Sequence, residues 1–224
     1  MTNDYYSTTL SAERLELCYQ LAPPRVQRYL SAEVEYVASL IPAGGIVLEL
    51  GCGYGRVLEH LATTSSLAYG VDISIDSLRL ARRRLADARN VILAAMDASK
   101  PGFDEGSFDV VCCVQNGISS FHIDQQSLLE SAVKITKPGG TTLFSSYADQ
   151  FWEDRLDWFR IQSAHGLIGE IDERATRDGT IVCRDGFTAT TVTPERFSAL
   201  ARNLGKTVSI EVIDGSSVFC RISV

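Results

Sequence analysis

A chain of 224 residues, 45% of them hydrophobic and 22% charged, has the composition of a soluble globular protein and length for one α/β domain with a modest insertion. Its formal net charge of −7 argues against capture of a nucleic-acid backbone by electrostatics alone. No apolar run approaches the ~18 residues that span a bilayer, the start Met1-Thr2-Asn3-Asp4 is unlike a signal peptide, and the six cysteines lack Cys-x-x-Cys or metal-type spacing, so a cytoplasmic protein with reduced, mostly packing cysteines and no metal is expected.

From Ser11 to about Ile41 the pattern predicts a helical cap in two segments, broken at Pro23-Pro24 because proline lacks a donor and restricts the residue before it. Strands are then predicted at Ile46–Leu50, Leu67–Asp72, Val91–Ala95, Phe108–Val114 and Thr141–Ser145, alternating with helices that begin near Arg56, Ser74 and Asp124. Ser74 and Asp124 suit N-caps, and Lys137-Pro138-Gly139-Gly140 ends its helix and turns the chain. On the helix after Ser74, Ile75, Leu78, Ala81 and Leu85 mark the expected buried side, while Arg79, Arg82, Arg83, Arg84 and Arg89 read as a solvated face.

Beyond Ser145 the chain turns aromatic and amphipathic, with Phe151, Trp152, Trp158 and Phe159. Turns at Asp178-Gly179 and Asp185-Gly186 then separate β-like segments 168–176, 180–184 and 187–192, a small antiparallel insertion. Thr193-Pro194-Glu195 opens a helix to about Asn203, and Asp214-Gly215 joins two last strands, 207–213 and 217–222. The fold class expected is α/β, a doubly wound, mostly parallel sheet with an antiparallel C-terminal hairpin. It divides one domain, 1–224, into a cap (1–41), a core (42–145), a lid or insertion (146–193) and a closing segment (194–224).

The most specific stretch is Val47-Leu48-Glu49-Leu50-Gly51-Cys52-Gly53-Tyr54-Gly55-Arg56, an apolar strand running into a glycine-rich turn and a helix. Such a turn opens at the carboxyl edge of a parallel sheet, where ligands bind, and Asp72, about 20 residues on, ends the next strand where a carboxylate can accept from ribose hydroxyls. A dinucleotide fingerprint requires glycine at the position of Arg56, which argues against a nicotinamide cofactor in the usual pose.

These residues resemble the first motif of class I S-adenosylmethionine-dependent methyltransferases. Further blocks follow in that family's order: Asp72-Ile73, Met96-Asp97-Ala98, the strand Phe108–Val114 with Gln115-Asn116-Gly117, and Lys137-Pro138-Gly139-Gly140 before Thr141–Ser145. The resemblance, strong over about residues 30–150, implies a Rossmann-like domain whose cofactor is S-adenosylmethionine. It implies cofactor contacts from Glu49, Gly51, Cys52, Gly53, Gly55, Arg56, Asp72, Ile73, Asp97, Ala98 and Gln115, with Asp72 on the ribose, Ile73 beside the adenine and Asp97 near its amino group.

Glu49 lies inside an apolar strand, where a charge needs a partner; Arg56 or the cofactor's amino group are the two candidates. Cys52 lacks a neighbouring His/Asp pair and is expected to contribute backbone rather than a nucleophilic sulfur. His122, after the fourth strand, is the candidate general base, with a purely structural histidine as the alternative; His60 and His165 have no better claim. Tyr5, Tyr6, Tyr19 and Tyr29, with Trp152 and Trp158, either form a lid that excludes water or pack as ordinary helix residues; Asn116 joins the substrate-facing set. The expected function is methyl transfer to an N, O or S nucleophile of a small molecule. A Pro-Pro-aromatic loop for nucleic-acid bases and a paired-glutamate loop for protein arginines are both missing. The alternatives are a non-catalytic cofactor-binding protein of the same fold and, more remotely, an NAD-linked oxidoreductase. No nucleic-acid or membrane partner is expected, and the oligomeric state is open.

Overall fold

The computed structural model describes Tyr5 and residues 9–224. Helices α1 (Ala12–Gln20) and α2 (Pro24–Ser39) precede an alternation of strand and helix: β1 (Ile46–Leu50), α3 (Arg56–Thr64), β2 (Leu67–Asp72), α4 (Ile75–Arg84), β3 (Val91–Ala95) and β4 (Phe108–Cys113). A short α5 (Gly117–Ser120), α6 (Gln125–Ile135) and β5 (Thr136–Tyr147) follow, then α7 (Trp152–Ala164), a two-residue ribbon of β6 (Ile181–Val182) and β7 (Thr188–Ala189), α8 (Pro194–Ala201), β8 (Thr207–Ile213) and β9 (Ser217–Ser223).

Seven strands form one sheet in the order β3-β2-β1-β4-β5-β9-β8. Pairings through β5 are parallel, while β9 runs antiparallel to both β5 and β8. The chain reverses direction across the sheet between β1 and β4, and a crevice at that switch point is where open α/β sheets hold ligands. The expected doubly wound sheet and closing hairpin are both present. One apolar cluster fills the face covered by α6 and α8, and a second fills the face covered by α2, α3 and α4.

A third apolar cluster lies away from the sheet faces. Cys18, Val26 and Tyr29 of the N-terminal helices pack there against Phe151, Trp158 and Phe159 and against Ile181 and Phe187 of the insertion. Residues distant in sequence thus build one roof at the end of β5. Arg14 ties it together, its guanidinium donating to the carbonyls of Gly166 at 2.8 Å and Leu167 at 3.1 Å.

Local chemistry explains the boundaries. Ser74, Asp124 and Thr193 each accept a backbone N–H three residues on, at 3.2, 2.8 and 3.2 Å, as N-caps do. All six cysteines are buried and free.

Several expectations need correction. Ile75 is 48% exposed, because α4 starts beyond the sheet edge; Ser77 and Leu80 face α1 instead, with the Ala12 N–H donating to the Ser77 hydroxyl at 3.0 Å. Arg83 and Arg84 are not simply solvated: they pair with Glu13 and Glu16 of α1. The β5 strand begins at Thr136, and Lys137–Gly140 form a bulge within it rather than the turn before it. Of the three β-like segments in the insertion, 180–184 and 187–192 pair as strands over 181–182 and 188–189, while 168–176 joins them through an isolated antiparallel bridge between Ile171 and Cys183, side chains such as Asp172 and Thr176 taking other backbone N–H groups. Helix α7 is not amphipathic, for Arg155, Leu156, Trp158, Phe159 and Gln162 bury several of its faces.

Candidate active site

A cavity of about 410 Å³ opens at the switch point, between the carboxyl ends of β1, β2 and β4 and the roof. Its inner wall is the glycine loop. Gly51 has φ +76°, and a β-carbon there would lie 2.3 Å from the Phe121 ring, so only glycine fits without moving that ring. Gly53 (φ +51°) lets the backbone turn under Leu15 of α1.

Asp72, at the end of β2, organises this loop. One carboxylate oxygen accepts the Gly53 N–H at 2.8 Å and the other the Ser74 N–H at 2.8 Å, so the acid ties the loop to the start of α4 while lining the cavity. Burial pushes its pKa up, and the loop N–H groups pull against that shift. Asp97 is exposed at the rim; one oxygen accepts from the Ser99 N–H at 2.8 Å and hydroxyl at 2.7 Å, a turn that leaves the other oxygen without a protein partner.

Glu49 stands on β1 between Gly70 of β2 and Cys112 of β4, 4% exposed. Burial pushes its carboxyl up to about 8, with Arg56 opposing and Asp72 adding to the shift. Its Oε2 has no hydrogen-bond partner, and neither do Nε and Nη2 of Arg56, whose guanidinium lies 5.0 Å over the Tyr19 ring. The ion pair with Arg56 that sequence allowed does not form. Buried polar atoms are normally satisfied, so these orphans, on a wall built of backbone N–H groups, fit a ligand carrying its own polar and charged groups. Burial also drives the Cys52 thiol well above its ordinary range, so it stays protonated and inert.

Two successive left-handed residues, Gln115 (φ +55°) and Asn116 (φ +61°), follow β4. Asn116 donates to the Thr190 carbonyl at 2.8 Å and accepts from the Ser146 hydroxyl at 2.7 Å, which in turn accepts the Val192 N–H at 2.8 Å. Both ends of Asn116 are thus engaged in holding the insertion against β5. Gln115 faces the cavity with its Nε2 buried and unpartnered.

The outer wall belongs to the roof: Leu15, Cys18 and Tyr19 from the N-terminal side, Tyr147 from β5, and Trp158, Phe159 and Gln162 from α7. The Trp158 indole N–H is taken by the Cys18 carbonyl at 2.9 Å. Gln162 is 3% exposed on this wall.

The structure therefore brings Glu49, Gly51, Cys52, Gly53, Arg56, Asp72, Ile73, Asp97, Ala98, Gln115, Asn116, His122, Tyr19 and Trp158 to one cavity. Gly55 is not on its wall; it packs instead toward Ala81 of α4 and Leu85 just beyond that helix. Tyr5 and Trp152 do not reach it either. Tyr5 packs tilted against Phe187, 4.7 Å between ring centres, and donates to Asp185 at 3.2 Å, and Trp152 lies beside Arg155. Tyr29 is buried behind Tyr147, 5.3 Å between rings, and Tyr6 lies outside the described residues. His122, at φ +53°, is exposed at the rim. Sequence reasoning missed Tyr147, Phe159 and Gln162, whose only signal was an aromatic-rich stretch, and Glu33, discussed below. Among the described residues, no group of His, Cys, Asp or Glu could hold a metal ion, and no helix is long and apolar enough to cross a membrane.

Residues 47–140 match the family model described as a methyltransferase domain. The chain is 30% identical over 122 residues to a ubiquinone biosynthesis O-methyltransferase of Albidiferax ferrireducens, covering 50% of this chain and 46% of that one. It is 28% identical over 226 residues to an arsenite methyltransferase of Aquipseudomonas alcaligenes, covering 87% and 63%. The crystal structure of the PH0226 protein from Pyrococcus horikoshii OT3 superposes with a TM-score of 0.68 at 19% identity, covering 100% and 99%. The matched segment is thus a methyltransferase domain by sequence, and the sheet around it has the fold of S-adenosylmethionine-dependent methyltransferases, whose cofactor is S-adenosylmethionine. The chain spans about half the length of the first curated relatives it matches, 46% and 44%.

Proposed function

We propose that this chain transfers the methyl group of S-adenosylmethionine to an N, O or S nucleophile of a small molecule held between the glycine loop and the roof. When bound, the cofactor supplies an electrophilic methyl on a good leaving group. What the chain must then do is align the nucleophile, exclude water and, for some acceptors, take a proton.

One observation carries the reading: a single cavity joins a backbone-built cofactor wall to an aromatic wall that does not belong to the cofactor motifs. On the first wall, Asp72 would hold the ribose, Ile73 and Ala98 would flank the adenine and Asp97 would take its amino group. The unpartnered Glu49 and Arg56 would meet the charged amino-acid end. On the second wall, Tyr19, Tyr147, Trp158 and Phe159 would enclose the acceptor and keep water out, and the buried carboxamide of Gln162 would orient it. His122, exposed at the rim, would accept a proton. The segments 9–41 and 146–193 would act together as the lid of one domain. A roof of this kind suits a small acceptor better than a macromolecule. The relatives' names, which run from ubiquinone biosynthesis to arsenite, support methyl transfer while leaving the acceptor open.

The test is calorimetric titration with S-adenosylhomocysteine, with NAD as the control, followed by mass-spectrometric screening of small-molecule acceptors for a 14-mass-unit gain, the mass of one added methylene in roughly whole units. Saturable binding of S-adenosylhomocysteine alone and one methylated product are expected. Binding of NAD instead would overturn the reading of the loop, and binding of S-adenosylhomocysteine without turnover of any acceptor would favour a non-catalytic protein.

A further inference from the structure

We propose that Glu33, an acid of α2 outside the cavity wall, is a positioning residue for the cofactor: it clamps the left-handed turn at Gln115 that presents this residue to the cavity. The proposal rests on the cavity being the cofactor site.

Glu33 occupies a slot in the buried stripe of α2, among Val26, Tyr29, Leu30, Val34 and Val37, and is 0% exposed. An acid there is costly unless something needs it. The group that uses it is the Gln115 N–H, which donates to Oε2 at 3.0 Å from 82 positions away in sequence. The other oxygen has no partner; the Ser145 and Ser217 hydroxyls lie beside the carboxyl but outside hydrogen-bond geometry. Burial raises the carboxyl to about 7, with those hydroxyls, the Gln115 N–H and Arg56 pulling it down.

The turn it holds is one that side chains resist. Asparagine tolerates the left-handed region and Asn116 is pinned at both ends, but Gln115 has neither advantage. Its conformation, at φ +55°, is imposed from outside, and strained backbone of this kind persists at functional sites where surrounding structure over-determines it. Without the Glu33 acceptor, the part-buried Gln115 N–H would be left unpaired, and rotation of the preceding peptide to relieve this would carry Gln115 off the cavity wall.

Three variants separate position from charge. Glu33→Gln keeps an acceptor oxygen at the same reach and removes the charge. Glu33→Asp keeps the charge and retracts it by a methylene; Glu33→Met removes the acceptor. Titrated with S-adenosylhomocysteine, Glu33→Gln is expected within about 3-fold of wild type, and Glu33→Asp and Glu33→Met weaker by roughly 10-fold or more, each checked for folding by circular dichroism. In the Glu33→Asp background, Gln115→Asn, which eases the left-handed turn and keeps a carboxamide, recovers part of the lost affinity. A merely structural acid gives no such recovery.

Wild-type affinity in Glu33→Met overturns the proposal. So does normal binding by Glu33→Asp with loss in Glu33→Gln, which would assign a role to the charge instead. If Glu33→Met fails to fold, the Gln and Asp variants and the Gln115→Asn recovery decide alone. Failure of the wild-type protein to bind S-adenosylhomocysteine is a different result: it removes the cavity reading, and this proposal with it.

Discussion

The two walls of the cavity are made by different means. The glycine-loop wall, proposed to hold the cofactor, comes from contiguous motifs, in which backbone N–H groups, glycine conformations and one tethering acid, Asp72, do the shaping. The roof draws Cys18 and Tyr19 from one end of the chain, Tyr147 from β5 and Trp158, Phe159 and Gln162 from α7, so its shape is set by side-chain packing between distant segments. A backbone-made wall constrains sequence locally and tolerates little change. A side-chain wall can be rebuilt residue by residue, which is how one cofactor scaffold could serve many acceptors.

That contrast can be broken most directly on the cofactor side. Gly51→Val forces a branched side chain into φ +76° and against the Phe121 ring. S-adenosylhomocysteine affinity should fall on the order of 100-fold or more in calorimetry, by strain and displacement together. An affinity near wild type would mean that the loop does not touch the cofactor. The counterpart on the roof is Arg155, 0% exposed, which donates to the Gly179 and Ala189 carbonyls at 2.9 Å each and lies 4.4 Å over the Tyr147 ring. Arg155→Met should lower unfolding free energy by about 3 kcal/mol, since two charge-assisted bonds are lost and two carbonyls stranded. Its S-adenosylhomocysteine affinity should change little. Equal damage to both would show that the walls are not separable.

The same division governs what could be read from sequence. The sheet, its closing hairpin, the helix caps and the gathering of the glycine loop, Asp72 and Asp97 at one cavity were legible, because strand periodicity, glycine turns and caps are local signals. Gly55 was assigned to the ligand, yet its space is needed by α4. The roof was legible only as a run of aromatics. Helix α7 shows no stripe because it is buried on several faces, and its polar Arg155 and Gln162 sit where a sequence pattern expects apolar residues. Trp152 and Trp158 look equivalent in sequence, but only Trp158 lies on the cavity wall, since a helix turns them to different faces. Glu33 was detectable only as an acid in an apolar stripe, a signal without a direction.

Smaller effects sharpen the comparison. Asp72→Ala should weaken S-adenosylhomocysteine by roughly 1–3 kcal/mol, through the contacts the carboxylate makes and the loosened Gly53 and Ser74 N–H groups. Asp72→Asn, which keeps one acceptor, should lose less. The buried acids also give the ligand-free protein a pH signature. Folded-state values of about 8 for Glu49 and about 7 for Glu33 lie above the unfolded range, so the native state binds more protons than the unfolded chain between those limits. Stability is therefore highest below about pH 4.5 as far as these two groups are concerned, and it is lost as pH rises toward 8, at up to about 1.4 kcal/mol per pH unit for each group. Urea unfolding at pH 5.5 and 8, set roughly inside and at the end of that window, measures it; Glu49→Gln should flatten the dependence, and an unchanged slope would remove Glu49 as its source.

The smallest expected effect lies where the walls meet. Arg84 of α4 pairs with Glu16 of α1 and with Glu59 of α3 at 3.2 Å, and its guanidinium lies 5.3 Å from the Tyr54 ring centre, beside the glycine loop. It is one electrostatic tie between a roof helix and the glycine-loop wall, but its side chain is 32% exposed, and solvent screens such pairs. Arg84→Gln should therefore cost less than about 1 kcal/mol of stability. Loosening α1, which carries Leu15 over Gly53, should speed release of S-adenosylhomocysteine about 3-fold at low salt, and the difference should vanish near ~1 M salt, where charges are screened within a few ångströms. A salt-sensitive change in release rate with stability intact marks α1 as a cover over a wall that stands without it. A loss as large as that of Asp72→Ala, persisting at high salt, would make α1 part of the cofactor site itself, and the boundary between the two walls would then run through α7 rather than along the glycine loop.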